Sequence, residues 1–173
     1  YFIIYSIKES FKFTSKISNV KKGYLVSFES PFGLFSHVFH PEDNNFVFIA
    51  GGIGITPIMS MIRYMHHNKS KNKAILMYAN RSRKDIVFQE ELETIAGSGY
   101  PELKVIHVLD QPGKDWDGEA GYINEKILSN YVTDFNNTAF YVCCPPKMRK
   151  KVLQILSARG VNEDQIRIEI FSL

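Results

Sequence analysis

The sequence predicts an α/β fold, a doubly wound parallel five-stranded sheet, for the part of the chain that follows a polar linker at 41–45. The run at 46–50 contains only apolar residues, as expected for a strand that is buried on both faces. Apolar runs then alternate with amphipathic stretches, which favours parallel strands joined by crossover helices. Right-handed crossovers place these helices on both faces of the sheet.

Each element has its own local signal. Apolar residues concentrate in the predicted strands, which are 46–50, 74–79, 103–109, 139–143 and 166–171. The predicted helices are 57–67, 85–96, 124–130 and 147–159. In the second of these helices, Ile86, Leu92 and Ile95 are among the apolar positions.

The first part of the chain has a different pattern. Residues 1–8 are rich in β-branched and aromatic side chains and predict a strand, and 24–28 predicts a second one. Between them, 14–20 favours a short helix capped by Thr14. Because the chain begins inside the first strand, we expect it to be a fragment of a longer protein.

Composition excludes several classes of protein. Lys and Arg number 21 against 18 Asp and Glu, and a formal charge of +3 is too mild for a nucleic-acid-binding face. The two cysteines, Cys143 and Cys144, are neighbours, which excludes a disulfide scaffold and any iron–sulfur or zinc site that needs four thiolates. Without a nearby Cys or His, we expect no metal at these thiols. The uncharged segment 46–62 is broken by glycines and falls short of the roughly 20 apolar residues of a membrane span. Because no secretory signal opens the chain, we expect a reducing, intracellular setting.

A glycine-rich turn follows the first buried strand. Gly51, Gly52 and Gly54 allow a sharp bend and a close approach of the backbone to a ligand. Thr56 is placed to cap the next helix, and Pro57 suits its first turn. The free N–H groups of that helix start would fit a diphosphate, while the alternative is a tight turn without a ligand. The turn lacks the spacing of the G-x-G-x-x-G fingerprint.

A basic loop follows the second strand. Asn80 begins it, and Arg81, Arg83 and Lys84 could pair with the 2′-phosphate of NADP at the adenosine end of a dinucleotide. A solvated basic loop without a ligand is an equal alternative. Asp85 comes after the basic run, so no acidic residue directly ends the strand.

Two thiols follow the fourth strand. Cys143 and Cys144 precede Pro145 and Pro146, which prevent a helix from starting before residue 147 and fix a stiff turn at the carboxyl edge of the sheet. We expect both thiols to face the reactive end of a ligand bound there. Burial as an ordinary packing residue is an equal alternative for Cys144.

Together these motifs resemble the ferredoxin–NADP reductase superfamily, and in particular its NAD(P)-binding domain. The segments that carry the resemblance are 49–57, 78–81, 85–92, 116–123 and 141–148. They occur in the order that is usual in the family, and the resemblance extends from Phe46 to the end of the chain. Glu169 and Phe171 lie in a terminal segment similar to the family's aromatic terminus.

Upstream the resemblance is partial. The turn at 30–35 and the segment 13–17 are similar to parts of a flavin-binding barrel, but Phe11 and Ser30 stand where the family has glycine. The resemblance implies that 1–42 is the C-terminal part of an FAD-binding β-barrel domain and that 43–173 is the NAD(P)-binding domain. We therefore expect FAD to bind weakly or not at all to this fragment alone.

The resemblance also implies roles for single residues. Cys143 would lie beside the nicotinamide, Phe171 would shield the flavin, and Glu169 would complete this catalytic group. Cys144 stands where the family usually has glycine, so its side chain would occupy space through which the nicotinamide approaches. The residues that would bind the coenzyme or flavin are Gly51, Gly52, Gly54, Thr56, Pro57, Asn80, Arg81, Arg83, Cys144, Pro145, Met148, Thr14 and Ser15.

In function, the resemblance implies a flavin-dependent oxidoreductase, similar to ferric-reductase-like or flavohaemoglobin-like reductases. Hydride would pass from NAD(P)H to FAD, and electrons would pass on to a haem, iron or iron–sulfur protein or a fused domain. The expected location is the cytoplasm or the cytoplasmic face of a membrane-bound reductase, and NADH is favoured over NADPH. Three alternatives stay open: a non-catalytic nucleotide-sensing or interaction domain, the electron-transfer subunit of a dihydroorotate dehydrogenase, and a variant that uses FMN.

Overall fold

The computed structural model describes residues 21, 23, 25 and 33–171. A compact unit begins at Phe35. Several expected features fall on residues that lie wholly or almost wholly outside this described part, namely the strands at 1–8 and 24–28, the helix at 14–20, Thr14 and Ser15. Of the barrel remnant expected over 1–42, the structure describes only 21, 23, 25 and 33–42. The boundary expected between residues 42 and 43 stays a prediction.

In the described part of the chain, six strands form one parallel sheet in the order β4-β3-β2-β1-β5-β6. The strands are β1 (Asn45–Gly51), β2 (Lys73–Asn80), β3 (Glu102–Leu109), β4 (Glu119–Ala120), β5 (Ala139–Cys143) and β6 (Ile166–Ile168). The predicted doubly wound parallel α/β fold is confirmed, but the sheet has one strand more than the expected five. The additional β4 spans two residues paired with Val108 and Leu109, which is too short to show a periodicity in the sequence.

The helices are α1 (Ile55–His67), α2 (Gln89–Ser98), α3 (Glu125–Tyr131) and α4 (Pro146–Ala158). The predicted start of α2 at residue 85 is wrong because a 3₁₀ turn, Arg83–Asp85, comes first and Phe88 then takes a left-handed conformation with φ of 61°. α4 begins at Pro146, since a proline is tolerated at the first helical position, where no N–H is needed. Among the described residues, no helix has the length and apolar character that crossing a membrane requires.

The core consists of two layers, one on each face of the sheet. α1 and α2 cover one face, where Phe48 and Tyr141 of the sheet pack with Ile58 and Leu92 of the helices. α3 and α4 cover the other face around Ile49 and its neighbours. Alternate residues of the central strands enter opposite layers, which explains why β5 and all of β1 after Asn45 are buried.

The strand order reverses at the centre of the sheet. β2 and β3 extend it from one side of β1, and β5 and β6 extend it from the other. β1 ends at Gly51 and β5 at Cys143, so both strands open onto the same carboxyl edge. In sheets of this kind a crevice for ligands forms at the point of reversal.

Candidate functional site

The glycine turn passes directly from β1 into α1 and leaves no room for a side chain at Gly51 or Gly54. A Cβ on Gly51 would lie 2.6 Å from Cδ of Pro145 and 2.9 Å from Cβ of Cys144. A Cβ on Gly54 would lie 1.9 Å from the backbone oxygen of Cys143. Gly52 has φ of 53°, in the left-handed region, and an added Cβ there would meet nothing within 4 Å. The turn is therefore packed against the end of β5 on one side and is open at Gly52.

The predicted cap on α1 is wrong. The helix begins at Ile55 directly after the 3₁₀ turn Gly52–Gly54, and its N-cap residue is Gly54, without a side-chain hydrogen bond. Thr56 therefore lies inside the first turn of the helix. Pro57 also lies in that first turn, as predicted, where its missing N–H costs little.

Asn80 ends β2 with an unpaired amide. Its side chain is only 8% exposed, and within the described residues its Nδ2 donates no hydrogen bond. Burial raises the pKa of the nearby Tyr78 hydroxyl, which also lacks a partner in hydrogen-bond geometry. A buried amide donor without an acceptor is costly, and the Tyr78 hydroxyl is the polar group beside it.

The loop after Asn80 separates its charged residues. The exposed Arg81 donates from Nε to Oε1 of Gln111 at 3.3 Å. Arg83 lies on the following 3₁₀ turn. The Asp85 carboxylate accepts hydrogen bonds from the backbone N and the Oγ of Ser82, at 2.9 and 2.7 Å, so that its orientation is fixed.

These segments enclose a crevice of about 660 Å³ at the carboxyl edge of the sheet. Its lining residues are Gly51, Gly52, Ala79, Asn80, Arg81, Asp85, Asp110, Gly121, Tyr122, Ile123, Pro145, Lys147, Met148 and Lys151. Six of the residues predicted from the sequence line it, namely Gly51, Gly52, Asn80, Arg81, Pro145 and Met148. The three segments singled out in the sequence therefore meet in one place.

The other predicted residues lie outside the lining. Gly54 is buried against the Cys143 backbone, and Thr56 and Pro57 lie inside α1. Arg83 lies beyond the crevice on its 3₁₀ turn, although its neighbour Arg81 reaches it.

The two thiols point to opposite core layers. Cys143 is 1% exposed and packs in the α1/α2 layer, whereas Cys144 is 9% exposed and packs in the α3/α4 layer. They therefore do not face one ligand together, contrary to the expectation from their adjacency. Burial raises the pKa of Cys143 to about 12 and that of Cys144 to about 11, so both are protonated at neutral pH.

The segment after β6 approaches Cys143. The backbone N of Glu169 donates to the carbonyl of Val142 at 3.0 Å. Burial is the main cause of the raised pKa of Cys143, and the negative charge of the Glu169 carboxylate is the second. This second effect indicates that the two side chains are close. Phe171 is 44% exposed. The catalytic roles of Cys143, Glu169 and Phe171 stay predictions.

Several lining residues were missed by the sequence analysis. Asp110 directly follows β3, and the rule that selected Asn80 after β2 would have found it. Tyr122 lies next to it, and hydrogen bonding to the Asp110 carboxylate raises the pKa of Tyr122. Lys147 and Lys151 are four residues apart on α4, a spacing that places them on one face of the helix.

A parallel sheet with a glycine turn and an unpaired amide at its point of reversal defines a dinucleotide-binding type of domain. The oxidoreductase NAD-binding domain family matches this chain over residues 48–154. The chain belongs to this family, within the ferredoxin–NADP reductase superfamily.

Curated relatives cover most of the chain. It is 32% identical over 164 residues to a subunit of the Na(+)-translocating NADH-quinone reductase of Pasteurella multocida (strain Pm70), covering 91% of this chain and 40% of the relative. It is 30% identical over 154 residues to the glycine betaine monooxygenase reductase subunit of Pseudomonas aeruginosa (strain UCBPP-PA14), covering 88% of this chain and 42% of the relative. The chain thus spans about two fifths of the length of these relatives.

Solved structures share the fold. The structure of the CS-b5R domains of human Ncb5or (NAD+ form) matches with a TM-score of 0.81 and 26% identity, covering 95% of this chain and 47% of that chain. A flavohemoglobin from Malassezia yamatoensis with bound FAD and heme matches with a TM-score of 0.84 at 23% identity, covering 97% of this chain and 43% of that chain.

Proposed function

We propose that this chain is the coenzyme-binding part of an NAD(P)H-dependent flavin oxidoreductase. The family match and the reductase names of its relatives support this class of activity. When bound, reduced nicotinamide would supply a hydride that FAD accepts, and the flavin would release electrons to a haem, iron or iron–sulfur acceptor. The chain's own residues bind and orient these groups.

One observation carries the proposal: the glycine turn, Asn80 at the end of β2 and the start of α4 line one crevice at the carboxyl edge of the sheet. Gly51 and Gly52 present bare backbone to a diphosphate, which suits a close approach. Asn80 then donates to the adenosine half, next to Arg81. The crevice thus offers the hydrogen-bond donors and the free volume that a bound dinucleotide requires.

At the other end of the site, we propose that Cys143, Pro145 and Met148 shape the nicotinamide pocket. Because the Cys143 thiol is buried and has a pKa of about 12, it stays protonated and does not act as a nucleophile. Phe171 would cover the flavin ring, with Glu169 beside Cys143. Thr14 and Ser15 would contact the flavin diphosphate.

We propose that 1–42 belongs to a flavin-binding domain and 43–173 to the NAD(P)-binding domain. The electron acceptor would be a separate redox protein or a fused domain, as in the relative named as a monooxygenase reductase subunit. The cytoplasm is the proposed location, because the coenzymes and the reducing conditions that keep both thiols free occur there.

Calorimetric titration with NADH and NADPH tests the proposal. We expect binding, and we expect Asn80→Ala to weaken it about tenfold, the cost of one buried hydrogen bond. The control is Asn68→Ala, because Asn68 follows α1 and bonds to the Tyr64 carbonyl, away from the crevice. It should leave affinity within about twofold of the original chain. No heat with either coenzyme would reject the proposed function.

A further inference from the structure

The first turns of α4 carry an unusual concentration of positive charge. Lys147, Arg149, Lys150 and Lys151 occur in the opening of a helix of 13 residues that has no acidic residue in its first turn. A helix N-terminus is itself partly positive, so cations there are unfavourable. Lys147 and Lys151 add a like-charge pair four residues apart. No ion pair between described residues involves these four cations. The described part of the chain therefore offers no stabilising reason for this arrangement.

Two of these lysines face the crevice and one does not. Lys147 and Lys151 line it, whereas Lys150 lines a separate depression on the outer side of α4. The first turn of α4 lies directly against the glycine turn, since a Cβ on Gly51 would lie 2.6 Å from Pro145 Cδ and 3.2 Å from Met148 Sδ. Lys147 lies between these two contacts in sequence. Lys147 and Lys151 therefore line the same crevice as the bare backbone at Gly51.

Asn80 supplies a second polar group to the same crevice from a different element. The residue is 8% exposed and lines the crevice from the end of β2, and its Nδ2 has no acceptor in hydrogen-bond geometry among the described residues. The proposed function places Asn80 at the adenosine half of a dinucleotide, which leaves the diphosphate to the donors of α4.

We propose that Lys147 and Lys151 bind the diphosphate of the coenzyme from the α4 side of the crevice. This inference rests on the proposed function and adds two residues to its site. A dinucleotide diphosphate carries two negative charges, which two ammonium groups would neutralise. Bound diphosphate would also relieve the repulsion between the lysines and complement the N-terminus of α4. The lysines that are unfavourable in the free helix would thus contribute to binding of the coenzyme.

The test compares Lys147→Gln, Lys151→Gln and the double variant with Lys150→Gln, which removes the same charge from the outer side of the same helix. Affinity for NADH, NADPH and ADP is measured by calorimetry at low and high salt. We expect about a fivefold loss for each single variant and about a 20-fold loss for the double variant, with all three ligands. Lys150→Gln should stay within about twofold of the original chain. The double variant should also lose less affinity on addition of salt.

The outcomes separate this inference from the function on which it rests. If the dinucleotides bind equally well to all variants, the lysine site is wrong and the proposed function stands. If ADP binding depends on the lysines but neither dinucleotide binds, the proposed function is wrong and the lysine site stands. A loss confined to NADPH would place the lysines at the 2′-phosphate and overturn the diphosphate assignment. Thermal unfolding monitors folding, and the midpoints of the variants should not fall, because like charges have been removed.

Discussion

Because Cys144 is buried, the stability of the fold depends on the protonation of its thiol. The side chain packs in the α3/α4 layer, and burial raises the pKa of its thiol from 9.0 to about 11. The folded chain therefore holds this proton more tightly than the unfolded chain does. The resulting stability is fully present below pH 9.0 and is lost as the pH rises towards about 11.

We predict that Cys144→Ala makes the fold less sensitive to alkaline pH. Between neutral pH and about pH 10, its free energy of unfolding should fall by about 1 kcal/mol less than that of the original chain. Titrating groups distant from Cys144 contribute equally to both proteins and cancel in the comparison, whereas Cys143 loses the part of its raised pKa that Cys144 causes. Urea unfolding under reducing conditions at the two pH values measures the difference. Parallel losses in the two proteins would show that the Cys144 thiol is not held protonated by the fold.

At the scale of elements, the glycine turn combines two different requirements. Gly54 needs the absence of a side chain, because its Cα faces the backbone oxygen of Cys143. Gly52 needs a left-handed conformation but has open space around it. The first requirement comes from packing between β5 and the turn, and the second from the bend of the chain itself.

Alanine substitutions should separate these requirements. Gly54→Ala should lower the free energy of unfolding by about 3 kcal/mol or more, since a Cβ 1.9 Å from a backbone oxygen forces both segments to move. Gly52→Ala should cost only about 1 kcal/mol, the strain of a left-handed alanine. Urea denaturation monitored by circular dichroism measures both values. Similar losses for the two variants would contradict the close contact between Gly54 and β5.

Which elements could be predicted depended on how local their signals are. The buried parts of β1 and β5 are continuous apolar runs in the sequence, so both strands could be predicted. The glycine turn and Asn80 were then found because they lie where predicted strands end. The start of α2 was missed because Phe88 interrupts a pattern that is helical in composition. β4 was missed because its pairing depends on β3 alone.

The remaining site residues depend on tertiary packing. Which face of α4 meets the crevice is decided by how Val152 and Leu156 pack on the sheet, so Lys147 and Lys151 could not be selected from a basic helix in advance. The expectation that both thiols face one ligand was wrong for a related reason. Successive residues at the end of a strand enter opposite layers, and this alternation extends to Cys144 after the last residue of β5.

Across the whole molecule, we expect coenzyme choice to depend on charges that three separate segments bring to one crevice: the loop after β2, the end of β3 and α4. Arg81, Lys147 and Lys151 are positive, whereas Asp85 and Asp110 are negative. The Asp85 carboxylate is held in place by Ser82 in the same loop as Arg81. An additional phosphate on the adenosine ribose would gain from Arg81 but would be repelled by the fixed carboxylate. We therefore expect NADH to bind about tenfold more tightly than NADPH.

Arg81 and Arg83 lie two residues apart in one loop, and their alanine variants form a matched pair. Together these variants test how the charges of the crevice set the preference between NADH and NADPH. Arg81→Ala should weaken NADPH about fivefold and NADH less than about twofold, because only NADPH carries the additional phosphate. Arg83→Ala removes the same charge from the same loop, but Arg83 does not line the crevice, so neither affinity should change by more than about twofold. Calorimetric titration of both variants with both coenzymes supplies the four affinities. An equal loss of NADH and NADPH in Arg81→Ala would place Arg81 at a part of the coenzyme that the two share.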